Sequence, residues 1–233
     1  MRALVLAAAL VAVLGIAGGV AAAEPKLPEL NLTYAAQWND IKLGDILVAL
    51  KAGEGADCYR YESATEPVGM VRMFYGKPRE VSEFCVAGGK VVPKRFSYVR
   101  GDDSFTLEFD AAKNKVRDGK GAERDVPANA QDRFGLQQAM RLWVIASQGK
   151  SDAGPVEFTL VDDERVRTYK FAITGRETLT LPAGTFDTVK VERIDNPKRI
   201  SRYWVAPEAS WMPVKVESGR NGKIQLRMEL RKR

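Results

Sequence analysis

Along most of the chain, apolar and polar residues alternate with a period of two. Near the C-terminal end Ile224, Leu226, Met228 and Leu230 fall on one face, and Gln225, Arg227, Glu229 and Arg231 on the other. A half-buried strand needs this pattern, because successive side chains point to opposite sides of a sheet. The run from Met212 to Glu217 reads as its hairpin partner, joined through Gly219-Arg220-Asn221-Gly222. Asn-Gly accepts the two positive φ angles of a type I′ turn, which makes this the most specific local signal in the chain. The same reading predicts strands at Leu30–Trp38, Ile41–Leu50, Gly69–Tyr75, Arg95–Arg100, Ser104–Asp110, Val156–Val161, Val166–Thr174, Glu177–Leu181, Phe186–Ile194 and Ile200–Val205, with strand-like text around Cys58–Tyr61 and Glu83–Val86. Arg100-Gly101-Asp102-Asp103, Asp162-Asp163-Glu164 and Pro182-Ala183-Gly184 are tight breaks between them. Many short strands with hairpin-length gaps predict an antiparallel meander with one dry and one wet face.

One segment breaks the period. From Asp132 to Ser147, Leu136, Ala139, Met140 and Trp143 recur at helical spacing, with Gln137, Gln138, Arg141 and Gln148 on the other side. Asn129 or Asp132 can cap the start, and Gly149 suits the left-handed residue just past the end. The fold class that follows is mainly β. An antiparallel meander forms a curved sheet or unclosed β-barrel, with one main α-helix packed on its concave face. Lys113 to Gln131, charged and broken by glycine and proline, reads as a mobile loop.

The first residues stand apart from this pattern. Arg2 precedes an almost unbroken run of Ala, Val, Leu, Ile and Gly, and Ala21-Ala22-Ala23 places small residues before Glu24. Residues 1–23 therefore read as a secretory signal peptide cut after Ala23, in preference to an uncleaved anchor. Residues 24–233 read as a single β-rich domain in the periplasm, not membrane-spanning after cleavage. Losing Arg2 takes the formal charge from +6 to +5, still basic. The two cysteines, Cys58 and Cys85, fit an oxidising compartment as a cross-strand disulfide. Two buried thiols acting as small apolar residues are the alternative.

Composition narrows the chemistry. Apolar residues at 45% and charged residues at 28% are ordinary for a globular chain, so wholesale disorder is excluded. There is no histidine. That removes Ser-His-Asp and Cys-His catalysis, His-ligated zinc and the usual switch near neutral pH. The glycine pairs lack the spacing of a phosphate loop, and the acidic runs lack that of a calcium loop, so neither a metal nor a cofactor is expected. The basic excess is small and spread out, which argues against nucleic acid. The apolar inventory is more suggestive. Leu136, Met140 and Trp143 on the helix, with Trp204 on a strand, can fill the core or line a cavity for an apolar ligand.

Three segments carry a family resemblance. They are Gln131-Asp132-Arg133-Phe134-Gly135-Leu136, the run from Gly175 to Phe186, and Tyr203-Trp204-Val205-Ala206-Pro207 followed by Met212-Pro213-Val214. With Tyr34-Ala35-Ala36-Gln37-Trp38 and Gly44 they resemble the domain of unknown function 3108 family, over about residues 28 to 231. The resemblance implies export from a Gram-negative bacterium and brings no established activity. Phe134-Gly135 departs from the Leu-Ser-like pair of that pattern. The plan of meander plus helix also resembles periplasmic lipoprotein carriers, an architectural likeness that does not fix function.

Two functions follow as expectations. The first is a non-catalytic periplasmic protein that binds an apolar or lipid-like envelope component, or a partner protein. The alternative is a carboxylate-dependent enzyme acting on envelope polysaccharide through residues such as Asp102, Glu177 or Asp187. A groove beside Trp143, covered by Asp110–Asn129 as a flap, is the expected place for a ligand.

Overall fold

The computed structural model describes residues 26–163 and 165–233. The signal peptide read at residues 1–23 lies outside them. The first meander comprises β1 (Leu30–Trp38), β2 (Ile41–Ala52), β3 (Cys58–Pro67), the short helix α1 (Val71–Tyr75), β4 (Arg79–Ala87), β5 (Lys90–Arg100), β6 (Asp103–Asp110), β7 (Lys115–Asp118) and β8 (Glu123–Asp125). The rest comprises β9 (Ala130–Gln131), α2 (Arg133–Ala146), β10 (Val156–Val161), β11 (Val166–Leu181), β12 (Gly184–Arg193), β13 (Arg199–Ala206), β14 (Met212–Arg220) and β15 (Lys223–Lys232).

All fifteen strands belong to one sheet, in the order β8-β7-β6-β5-β4-β3-β2-β1-β15-β14-β13-β12-β11-β10-β9. Two meanders are thus sewn together by the antiparallel pairing of β1 with β15. The sheet does not close. The expected class, a mainly β unclosed barrel with one main helix, is the observed one. Asn221 and Gly222 take φ of 52° and 77°, the turn that Asn-Gly predicts. Cys58 and Cys85 face each other across β3 and β4 and form a disulfide, with Cα atoms 3.8 Å apart.

The concave face is apolar, as the alternation requires. Tyr34, Leu50, Tyr61, Phe84, Phe96 and Leu107 come from successive strands β1 to β6, and all are buried. α2 lies against this face. Leu136, Met140 and Val144 pack with Phe158, Phe171, Val189 and Val191 of the second meander. Leu142 joins Leu50, Tyr61 and Leu230 in the cluster shared by the two meanders. Among the described residues no helix is long and apolar enough to cross a membrane, which says nothing about strands.

Several elements differ from the sequence reading, each for a physical reason. Gln138 and Arg141, placed on the solvent side of the helix, are buried. The sheet curls far enough that α2 is packed on both sides, so its polar stripe meets protein. Gly69–Tyr75, read as a strand, turns out of the sheet as α1; Gly69 and Gly76, with φ of 55° and 70°, set the entry and exit. Lys113–Gln131, read as a loop, contains β7, β8 and β9. Val116 and Val126 are buried there, and Arg117 and Lys115 both pair with Glu123 across the β7–β8 turn. Two apolar anchors in a charged segment were enough to extend the sheet. β11 runs unbroken through Gly175, where the ladder shifts register by a bulge instead of ending.

Candidate functional site

The residues Gln131-Asp132-Arg133 set the site. Asp132 caps α2: its Oδ1 accepts from the backbone N–H of Phe134 and Gly135, each at 2.9 Å, and its Oδ2 accepts from Ser82 Oγ at 2.8 Å. A Cβ on Gly135 would lie 2.7 Å from Gln131 Oε1. The small residue therefore lets the strand-to-helix corner fold tightly. Arg133 follows the cap, in the first helical turn, where the helix dipole disfavours a cation. Two carboxylates offset that: Nη1 donates to Glu80 Oε1 at 2.6 Å and Nη2 to Asp162 Oδ1 at 2.8 Å. The guanidinium also lies over the rings of Phe96 and Tyr98, 5.4 and 5.8 Å from their centroids.

This constellation joins the two ends of the unclosed sheet. Glu80 lies in the first residues of β4, Asp162 directly follows β10, and Arg124 of β8 donates to the Asp162 carbonyl at 2.6 Å. Gln131 Nε2 reaches the Val91 carbonyl at 2.9 Å. Side chains thus hold the barrel together where no ladder runs.

Above Arg133 opens a cavity of about 510 Å³. Leu43, Ile46, Phe105 and Leu226 supply apolar wall; Glu80, Asp103, Asp162 and Asp163 supply carboxylates, set against Arg133 and Arg165. Burial raises the Glu80 carboxyl above its usual range, opposed by Arg133. Burial likewise raises Asp132, opposed by the N–H groups of its cap and by Ser82. A raised carboxyl means that the folded chain holds the proton more tightly than the unfolded one. The stability linked to that proton is present below the unfolded value, about pH 4, and is lost as pH rises through the folded value. Asp132→Asn keeps a cap acceptor and removes the charge. Its stability relative to the parent is expected to rise steadily as pH increases from about 4; melting curves across that range would show no such trend if Asp132 were not penalised by burial.

A second polar cluster sits deeper. Arg141 Nε donates to the Ser210 carbonyl at 2.7 Å and Nη1 to Gln138 Oε1 at 2.9 Å; Tyr34 OH donates to the Pro213 carbonyl at 2.8 Å. Arg141 makes no ion pair among the described residues, and burial pulls its guanidinium down to about 10. Burial also raises the hydroxyls of Tyr34 and Tyr61. The cluster is enclosed by protein and reads as a specific brace for the helix, not as an open site.

The sequence-derived candidates fall elsewhere. Leu136, Met140 and Trp204 are buried, Trp143 is half-buried, and none of the four lines the cavity above Arg133. Asp102 is exposed in the β5–β6 turn. Glu177 and Asp187 stand opposite Thr188 and Thr178, so they project from opposite faces of one hairpin. Glu177 accepts from Trp204 Nε1, and Asp187 from Thr178 Oγ1. The three carboxylates are not brought together. No group of three or more His, Cys, Asp or Glu side chains placed to hold a metal ion occurs among the described residues. Glu80, Arg133 and Asp162 were missed. The available signal was a cation directly after an N-cap, out of place electrostatically unless acids surround it.

A family model described as "Protein of unknown function (DUF3108)" matches residues 33–230. No curated protein is significantly similar to the chain. Among solved structures, a "putative exported protein with YmcC-like fold" from Bacteroides fragilis is 14% identical, with a TM-score of 0.39, covering 90% of this chain and 96% of that one. A "putative lipoprotein" from Parabacteroides distasonis is 11% identical, with a TM-score of 0.36 and the same coverage of both chains. Similarity at this level carries no functional argument.

Proposed function

This chain belongs to the DUF3108 family of proteins of unknown function, and we propose that it is a non-catalytic periplasmic protein that binds an apolar or lipid-like envelope molecule at the mouth of its curved sheet. The observation that carries this reading is the cavity of about 510 Å³ over Arg133. Its volume falls within the range of small-molecule sites, roughly 300–1,000 Å³. The apolar arm of the ligand packs against Leu43, Ile46, Phe105 and Leu226. Carboxylates outnumber guanidiniums around the polar part of the cavity, which favours a neutral or cationic head over an anionic one.

Binding is favoured over carboxylate-dependent hydrolysis because the acids nearest the cavity floor are already engaged. Glu80 and Asp162 each accept from Arg133, whereas a glycosidase needs two carboxyl groups free to flank the scissile bond. Uptake of a fluorescent acyl amine by the folded protein tests the proposal. Saturable uptake is expected, with the dissociation constant raised at least about tenfold by Ile46→Trp, which fills the cavity with a side chain. An absence of uptake, or uptake indifferent to Ile46→Trp, would overturn it.

A further inference from the structure

The distribution of exposed apolar side chains is lopsided. Ten large hydrophobic residues are exposed among the described residues, and nine of them lie at one end of the sheet. Leu47, in the middle of β2, is the exception. Strand direction places the nine. Trp38 and Ile41 flank the β1–β2 turn; Val68, Met70, Met73 and Phe74 belong to the β3–β4 connection; Val99, Val166 and Ile194 stand at the β5–β6, β10–β11 and β12–β13 turns. In an antiparallel meander these turns, every second one in each half, share an end. It is also the end where the cavity over Arg133 opens, since Val71, Asp103, Asp163 and Arg165 line that cavity. Met70, Met73 and Phe74 are 72%, 80% and 81% exposed, values that an ordinary folded surface avoids for three neighbouring apolar side chains.

The rim's acids, among them Asp102, Asp103, Asp162 and Asp163, gather at the β5–β6 and β10–β11 turns beside the cavity, whereas unpaired cations surround the apolar tips. Lys42, Arg72, Lys198, Arg199, Arg220 and Lys223 are exposed there and make no ion pair among the described residues. Among the described residues the opposite end carries no comparable apolar set. Apolar tips on separate turns, interleaved with unpaired lysines and arginines, do not resemble the core of a protein interface, from which lysine is depleted. They match the requirements of a bilayer surface: apolar groups that enter the boundary between head groups and acyl chains, and cations that meet anionic lipid.

We propose that this rim docks on an anionic phospholipid bilayer, with Met70, Met73 and Phe74 as its principal insertion and the mouth of the cavity facing the membrane. The inference goes beyond the binding reading and does not require it, since the rim can dock whether or not the cavity is filled. Charge and apolar contact act together. Lipid binding therefore needs both anionic head groups and the tips, and it weakens as salt screens the cations.

The test is flotation of the exported protein with vesicles made of equal parts phosphatidylcholine and phosphatidylglycerol, beside vesicles of phosphatidylcholine alone. The parent is expected to float with the mixed vesicles and to be released at high salt, while Trp38 emission shifts to the blue on binding. The double variant Met73→Asp/Phe74→Asp should lose at least about tenfold in apparent vesicle affinity, and Leu47→Asp, away from the rim, should not. Because Met73, Phe74 and Leu47 are all exposed, circular dichroism should show the variants folded. A parent that stays with the soluble fraction, or a double variant that floats as well as the parent, would overturn the proposal. A rim that instead mediates self-association, seen by light scattering without vesicle binding, would also overturn it. Acyl-probe uptake measured without vesicles reports on the cavity alone, so the two readings fail separately.

Discussion

Replacing Met140 with alanine is expected to lower the free energy of unfolding by about 2–5 kcal/mol. Met140 is 1% exposed and occupies the centre of α2, among Leu136, Val144, Phe158 and Val189. Removing its side chain forfeits the transfer free energy of the lost atoms and leaves a cavity. The surroundings are poorly placed to collapse into that cavity, because α2 is tied down at its start and along its body. Asp132 fixes its start through Ser82, and Arg141 ties its body to Ser210. The effect should therefore fall in the upper part of the range. Urea denaturation followed by tryptophan fluorescence measures it directly; a loss below about 1 kcal/mol would mean that the helix is not close-packed in the curved sheet.

The second large effect belongs to the disulfide. Cys58 and Cys85 are separated by 27 residues, and in the chain-entropy account closing a loop of that size constrains the unfolded state by about 3.5 kcal/mol. The enclosed segment contains all of β3, most of β4 and all of the short helix α1. Cys58→Ser/Cys85→Ser should shift the urea midpoint down by a corresponding amount, and reduction of the parent should do the same. Identical midpoints with and without reductant would show that the bond is absent or that the reduced chain retains the constraint. A chain that depends on this bond folds best where disulfides form, which accords with the periplasmic location proposed for it.

The elements were legible wherever one periodicity acted alone. The alternation from Ile224 to Leu230 predicts β15, and the strand forms although its burial is graded and not alternating: residues 224–229 are half-buried and Leu230 is buried. Asn221-Gly222 predicts its turn because few other dipeptides accept those φ angles. Legibility failed where tertiary structure overrides the local pattern. Arg141 looks like a surface residue on any helical projection, and only the curl of the sheet over α2, a property of the whole chain, buries it. The β7–β8 hairpin was hidden because two valines among many charges carry a weak periodic signal. The cavity could not be read from sequence, since its lining comes from strands, turns and a helix start spread from Ala36 to Leu226. Trp143 stands out by its helical spacing and its size, and neither distinguishes a side chain that fills a core from one that lines a cavity.

The pairing of β1 with β15 bears on how the chain is made. Every other antiparallel neighbour in the sheet is a neighbour in sequence, so each can zip as soon as its second strand is made. One edge of β1, from Thr33 to Trp38, must wait for the last strand to appear. In the interval the nascent polypeptide presents an unpaired edge, the kind of template on which misassembly between molecules begins. The contact that ends the exposure is also the one of greatest sequence separation, and such contacts are slow to form. Arg231 of the last strand pairs with Asp45 at 2.7 Å, reaching past β1 to β2, a charge clasp that helps set the register when the seam closes. The vulnerable period of this protein's life is therefore the wait between synthesis of its first strand and arrival of its last.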